Sequence, residues 1–172
     1  MLEKERDAKH KAIHNEHVSW LMDQIENLQK ENEKCEHNDA RKQLIILTHH
    51  APTDYRCIDP FSFNEVSIQM NFSHLEHLFQ YPVCAWFFGH THYNMECIVQ
   101  SVLDATDSTH PEEEWNTIVA SNQQGYLHRS ICDRYQIDKV FQFPLKKLSC
   151  EVITYGRINI LPFLDRAKNL VE

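Results

Sequence analysis

Four histidines are the residues of this sequence whose type and spacing suggest chemistry. His49 and His50 stand side by side in Thr48-His49-His50-Ala51-Pro52-Thr53, and His90 and His92 stand two apart in Gly89-His90-Thr91-His92. Imidazole nitrogens suit Zn, Fe, Mn or Ni at roughly 2.0–2.2 Å. In an extended or turning segment, side chains at i and i+2 either share one side or are twisted so that each faces a different metal. Gly89, with no Cβ, is expected to let the backbone turn sharply and the ligands come close. The plain alternative is a set of surface histidines, because twelve histidines in 172 residues offer some His-x-His spacing by chance.

Elements must bring those runs together. Leu44-Ile45-Ile46-Leu47 is a short continuous apolar run, the pattern of a strand buried on both faces, and it opens into the polar 48–53 loop. Residues 83–88 read as a second buried strand that runs straight into 89–92. Strand ends in sheet-based folds converge on a shared crevice, where ligand sites form. A third strand is expected at 95–102 and a fourth at 115–120, closing on Ser121-Asn122-Gln123-Gln124-Gly125-Tyr126. Upstream, Val18, Leu21, Met22, Ile25 and Leu28 fall on one arc at 3.6 residues per turn, so 16–35 reads as a helix packed on the sheet. Residues 1–15 are charged and without periodicity, and are expected as loose helix or coil. Residues 53–70 read as an irregular loop, followed by a short helix from Asn71 or Ser73 through Phe79. Weaker patterns suggest an edge strand at 148–155 and a terminal helix at 161–171.

Composition narrows the function classes. With 42% hydrophobic and 24% charged residues, the chain suits one soluble globular domain rather than disorder. Seventeen Lys+Arg against 25 Asp+Glu leave a net charge of −8, which disfavours a nucleic-acid or anionic-membrane binder. The longest apolar stretch, 83–88, is far short of the ~20 residues of a membrane span. The first residues are charged, so no secretory signal is visible and a cytoplasmic location is expected. The six cysteines contain no Cys-x-x-Cys pair, which favours reduced thiols over a disulfide framework or a zinc knuckle.

Taken in order, Leu47-Thr48-His49-His50-Ala51-Pro52-Thr53, Phe88-Gly89-His90-Thr91-His92 and Ser121-Asn122-Gln123-Gln124-Gly125-Tyr126 resemble the second half of the calcineurin-like metallophosphoesterase superfamily. Trp20-Leu21, on the helix before the first strand, is similar to that family's "WL" helix. The resemblance covers roughly residues 10–128. It implies an α/β (α+β) fold, part of an α-β-β-α sandwich of mixed β-sheet with flanking helices, over 1–128, with 129–172 as an extension of unassigned role. It also implies a centre of two divalent metals (Mn, Fe or Zn), with His49 and His90 ligating one and His92 the other. His50 would sit beside a ligand and face the phosphate ester substrate as a catalytic group. Asn122, Gly125 and Tyr126 would form a structural turn. The implied activity is a hydrolase, a phosphatase in which a metal-bridged hydroxide attacks phosphorus in line.

The family's earlier motifs, Asp-x-His, Gly-Asp and Gly-Asn-His, do not occur in this sequence: its three glycines precede His90, Tyr126 and Arg157. Neutral imidazoles cannot balance two dications as carboxylates do. The expectation is therefore the C-terminal part of a longer enzyme, inactive alone, whose N-terminal half lies on the same or another chain. The competing expectations are a non-catalytic interaction or regulatory module and a mononuclear zinc site built from His49, His90 and His92.

Overall fold

A single long helix and one mixed sheet carry the fold in the computed structural model, which describes residues 2–37, 40–62, 72–102, 114–126, 131–141 and 150–154. Helix α1 spans Leu2–Glu33. The strands are β1 (Gln43–Leu47), β2 (Val83–Phe87), β3 (Glu96–Val102), β4 (Glu114–Ala120) and β5 (Cys150–Thr154). Their order across the sheet is β3-β4-β2-β1-β5. The pairs β1–β2, β1–β5 and β2–β4 are parallel, and β3–β4 is antiparallel. The chain is thus mixed α/β.

α1 begins earlier than its apolar stripe. Residues 5–16 are exposed along one uninterrupted helix. They contain no Gly or Pro, and Glu5/Lys9 and Asp7/Lys11 stand at the i,i+4 spacing that favours helix without any packed face. Beyond them the stripe takes over: Leu21, Ile25 and Leu28 are buried in one cluster with Leu44, Ile46, Trp86 and Val119 of the sheet. Met22 lies off this seam and is exposed. Burial of such side chains contributes about 1.5–3 kcal/mol each. Two polar ties fix the helix against the strand starts. Buried Asn32 donates to Lys42 O (2.8 Å) and accepts from Lys42 N (2.7 Å), and Gln29 donates to Tyr81 O (2.6 Å).

β1 alternates rather than burying both faces. Leu44 and Ile46 are buried toward α1, while Ile45 and Leu47 are only half-buried. The register puts Ala85, Phe87 and Ile118 on the same side as Ile45 and Leu47, and there Phe141 lays its ring 4.6 Å from Phe87. β2 is the more enclosed strand, with Val83 to Trp86 all buried. The expected helix ending at Phe79 is a single 3-10 turn, Glu76–Leu78. The edge strand after residue 148 is present as β5, paired to β1 in the same sheet as the rest. The 161–171 helix and most of the acidic stretch between β3 and β4 lie outside the described residues.

Candidate metal centre

The loop after β1 is a continuation of the sheet's own bonding. Thr48 N donates to Phe87 O (3.0 Å), and Gly89 N donates to His49 O (3.1 Å), so the first two loop residues still follow the neighbouring strand. Thr48 Oγ1 donates to His50 O (2.6 Å) and accepts the indole N–H of the buried Trp86 (2.9 Å). Farther on, Ser73 N donates to Ala51 O (3.0 Å) and Leu75 N to Pro52 O (2.7 Å). The His49-His50 pair is therefore carried on backbone pinned at both ends.

The loop after β2 turns differently. His90 (φ 69°) and His92 (φ 55°) occupy the left-handed region, which non-glycine residues visit at a cost of about 1–2 kcal/mol. Gly89 is not in that region, and a Cβ there would meet only His49 O at 3.6 Å and Gln123 Oε1 at 3.9 Å, ordinary contact distances. The turn is made by the histidines rather than by the glycine. A distant side chain holds it: Gln123 accepts from His92 N (3.0 Å) and donates to Thr91 Oγ1 (3.1 Å) and Tyr93 O (3.2 Å). Gln123 is itself fixed by Asn94, whose amide donates to Gln123 O (2.8 Å) and whose Oδ1 accepts from Gln123 N. Nothing in the local spacing marks Gln123 beforehand; its role depends on β4 delivering it beside the 89–92 loop.

The two loops bring His49, His50 and His90 into one group, with a ligating nitrogen from each lying within 4.8 Å of the others. Ring centroids are 5.0 Å apart for His49–His50, 4.8 Å for His49–His90 and 4.5 Å for His50–His90. Tetrahedral ligands at about 2.1 Å from an ion stand roughly 3.4 Å apart, so modest ring rotations would close this triad on a cation. Its electrostatics suit that use. Desolvation, then the neighbouring imidazoles of His90 and His49 and the more distant His14, lowers the His50 pKa to about 4. Desolvation, then His49 and His92, also lowers that of His90. Both shifts favour the neutral imidazole, the form that offers a lone pair to a metal.

Of the histidines expected as ligands, His49 and His90 thus meet, and His50 joins them. His92 does not belong to the group; its ring stands edge-on to Tyr126, centroids 4.7 Å apart. Asn122 exchanges two hydrogen bonds with the backbone of Gln136 (2.7 and 3.0 Å), tying 121–126 to the segment after it, and Gly125 takes a left-handed φ of 85°. Burial pushes the Cys57 thiol up to about 12 and raises that of Cys97, which leaves neither suited to nucleophilic work. Among the described residues no helix is long and apolar enough to cross a membrane.

No family model matches the chain, and no solved structure matches it. "Uncharacterized protein L509" of Acanthamoeba polyphaga mimivirus is 28% identical over 120 residues, a match covering 66% of this chain and 33% of the viral protein. The match thus spans about a third of that relative's length.

Proposed function

We propose that this chain is the C-terminal part of a metal-dependent phosphoesterase, a hydrolase of phosphomonoesters or phosphodiesters, with His49, His50 and His90 in its metal centre. The observation that carries the reading is the convergence of three imidazoles, from the ends of two adjacent parallel strands, on one small volume. The donor set fits a divalent Mn, Fe or Zn: all nitrogen, with His49 and His50 exposed so that one side stays open to a substrate oxygen. A cation bound there supplies a Lewis acid for the phosphoryl oxygens and acidifies water at the site. The chain's own residues would hold and orient: the triad would carry the cation, with His50 the ring we assign to the substrate side. Gln123 keeps the 89–92 backbone in the turn that aims His90.

The phosphoesterase reading calls for a second cation, for which His92 is the remaining imidazole of that loop. Among the described residues no carboxylate joins the triad. The bridging carboxylate would come from a segment bearing Asp-x-His and Gly-Asp, on a longer form of the protein or on another chain. The same reading makes this sheet one half of an α-β-β-α sandwich. Half-buried Ile45, Leu47 and Ile118, with Ile98 68% exposed, form the face that a second sheet would cover.

The test is titration of the full chain with zinc or manganese, followed by inorganic phosphate. Zinc should bind with one equivalent, binding should be lost in His90→Ala, and phosphate should bind only to the metal-loaded chain. Metal binding without phosphate binding would select the second reading, a non-catalytic module, which the carboxylate-free triad favours. No metal binding would sink the metal centre itself.

A further inference from the structure

Beside the triad a pocket of about 190 Å³ opens between α1 and the end of β1. His14, His17 and Val18 of α1 form one wall, and Ile46, His49 and His50 form the other. His49 and His50 therefore belong to both the pocket and the triad, so anything filling the pocket touches the metal-ligating rings. Its lining is mixed in character: four imidazoles together with Val18, Leu21, Ile46 and Leu75. Among the described residues no Asp or Glu lines it. The imidazoles offer ring N–H donors to an anionic head, and an apolar tail finds wall to cover it.

We propose that this pocket binds the organic group of a small phosphate ester, a single aromatic ring or a short aliphatic chain, while the phosphoryl group meets the triad. Size decides between ester classes. Pockets for drug-sized ligands run to about 300–1,000 Å³, whereas a cavity of about 150 Å³ suffices for benzene. At about 190 Å³ there is space for one ring, and a base with its ribose would have to project past the open rim. His14 and His17, one helical turn apart on α1, line the pocket and bring two further imidazoles to its wall. The phosphoryl half of this inference rests on the metal-centre reading; the apolar half rests on the pocket alone.

The experiment compares phenylphosphonate with methylphosphonate, which share a head and differ by the ring, on the full chain with and without zinc. NMR of the histidine imidazoles and the Trp20 indole reports where each probe lands. With zinc bound, phenylphosphonate should bind about tenfold more tightly, with the largest shifts at His14, His17 and Trp20. Val18→Trp should bring the two probes to equal affinity, compared at equal zinc occupancy because the new ring reaches the ligands, and Ser73→Leu at the rim, a gentler change, should reduce the preference in the same direction. Equal affinities in the parent chain, a preference that survives both variants, or shifts located elsewhere would overturn the proposal. If zinc fails to bind, the metal reading falls by itself. The ring preference in the metal-free chain then still decides whether the pocket recognises the organic group.

Discussion

The loops after β1 and β2 deliver histidines to the same place by opposite means. The first extends the sheet: Thr48 and His49 keep backbone bonds to the neighbouring chain at Phe87 and Gly89, and neither His49 nor His50 has a positive φ. The second leaves the ladder and bends through two left-handed histidines, held by an amide 31 residues away in sequence. Strained backbone of that kind persists only where surrounding groups over-determine it. His49 and His50 are thus placed mainly by main-chain bonds, with Thr48 Oγ1 added on His50 O, whereas the turn that carries His90 is held by a remote side chain.

The largest expected effect tests whether both loops feed one cation. Alanine at His49, His50 or His90 should each lower zinc affinity by more than about 100-fold, beyond the 10–100-fold typical of supporting partners, as read by competition with a chromophoric chelator. Similar losses from both loops are expected; a histidine whose removal costs nothing would break the triad at that loop. Next in size comes the contrast between supports. Gln123→Ala should weaken zinc about tenfold with little change in melting temperature, while Gln123→Glu, which retains an acceptor for His92 N, should recover part of it. Thr48→Val should do the reverse. It strands the indole N–H of buried Trp86 and removes the hydroxyl's bond to His50 O, at a cost of about 1–3 kcal/mol in stability, yet leaves the main-chain bonds of Thr48 N and His49 O and should change zinc affinity less than Gln123→Ala does. If the two variants behave alike, the distinction between the loops is void.

That contrast also explains what the sequence could reveal. β1 and β2 are legible in 44–47 and 83–88 because buried parallel strands need unbroken apolar runs, and their polar breaks mark where ligands emerge. The first half of α1 is not, because its helix rests on residue propensity with no apolar stripe to read. The half-buried side of β1 is equally hidden, since Ile45 and Leu47 look the same in sequence whether a second layer covers them or not. At the site, spacing picks out the 49–50 and 90–92 runs but cannot rank their members. Which ring of His90 and His92 turns inward depends on φ at both residues, and those angles depend on Gln123, a contact made only when β4 pairs with β2. The expectation for Gly89 failed for the same reason: the sharp turn falls one residue later, on His90.

A smaller effect lies in proton uptake at the triad. His50 takes its proton near pH 4 in the folded metal-free chain and near its ordinary 6.5 when unfolded. Between those values the unfolded chain binds more protons, so the metal-free fold is fully supported above about 6.5 and loses support as pH falls toward 4. Because His50 is exposed, solvent screening keeps this loss modest. Proton NMR should show the His50 ring neutral at pH 5.5; a midpoint at 6.5 would mean that the ring is neither desolvated nor crowded by its neighbours in solution.

The least change is expected where the resemblance alone would predict a large one, at His92. Gln123 grips the main-chain N–H of His92, so alanine keeps the clamp and the turn that aims His90. Its ring lies against Tyr126, outside the triad, and its removal takes no nitrogen from the first cation. Alanine also pays a left-handed φ cost close to that of histidine, within about 1 kcal/mol. His92→Ala should therefore hold the first equivalent of zinc, the one this chain is expected to bind, within about twofold of the parent. A tenfold fall in the first would place His92 inside the triad's coordination sphere. The β2 loop would then supply two ligands through its strained turn, and the division of labour between the loops would have to be redrawn around Gln123.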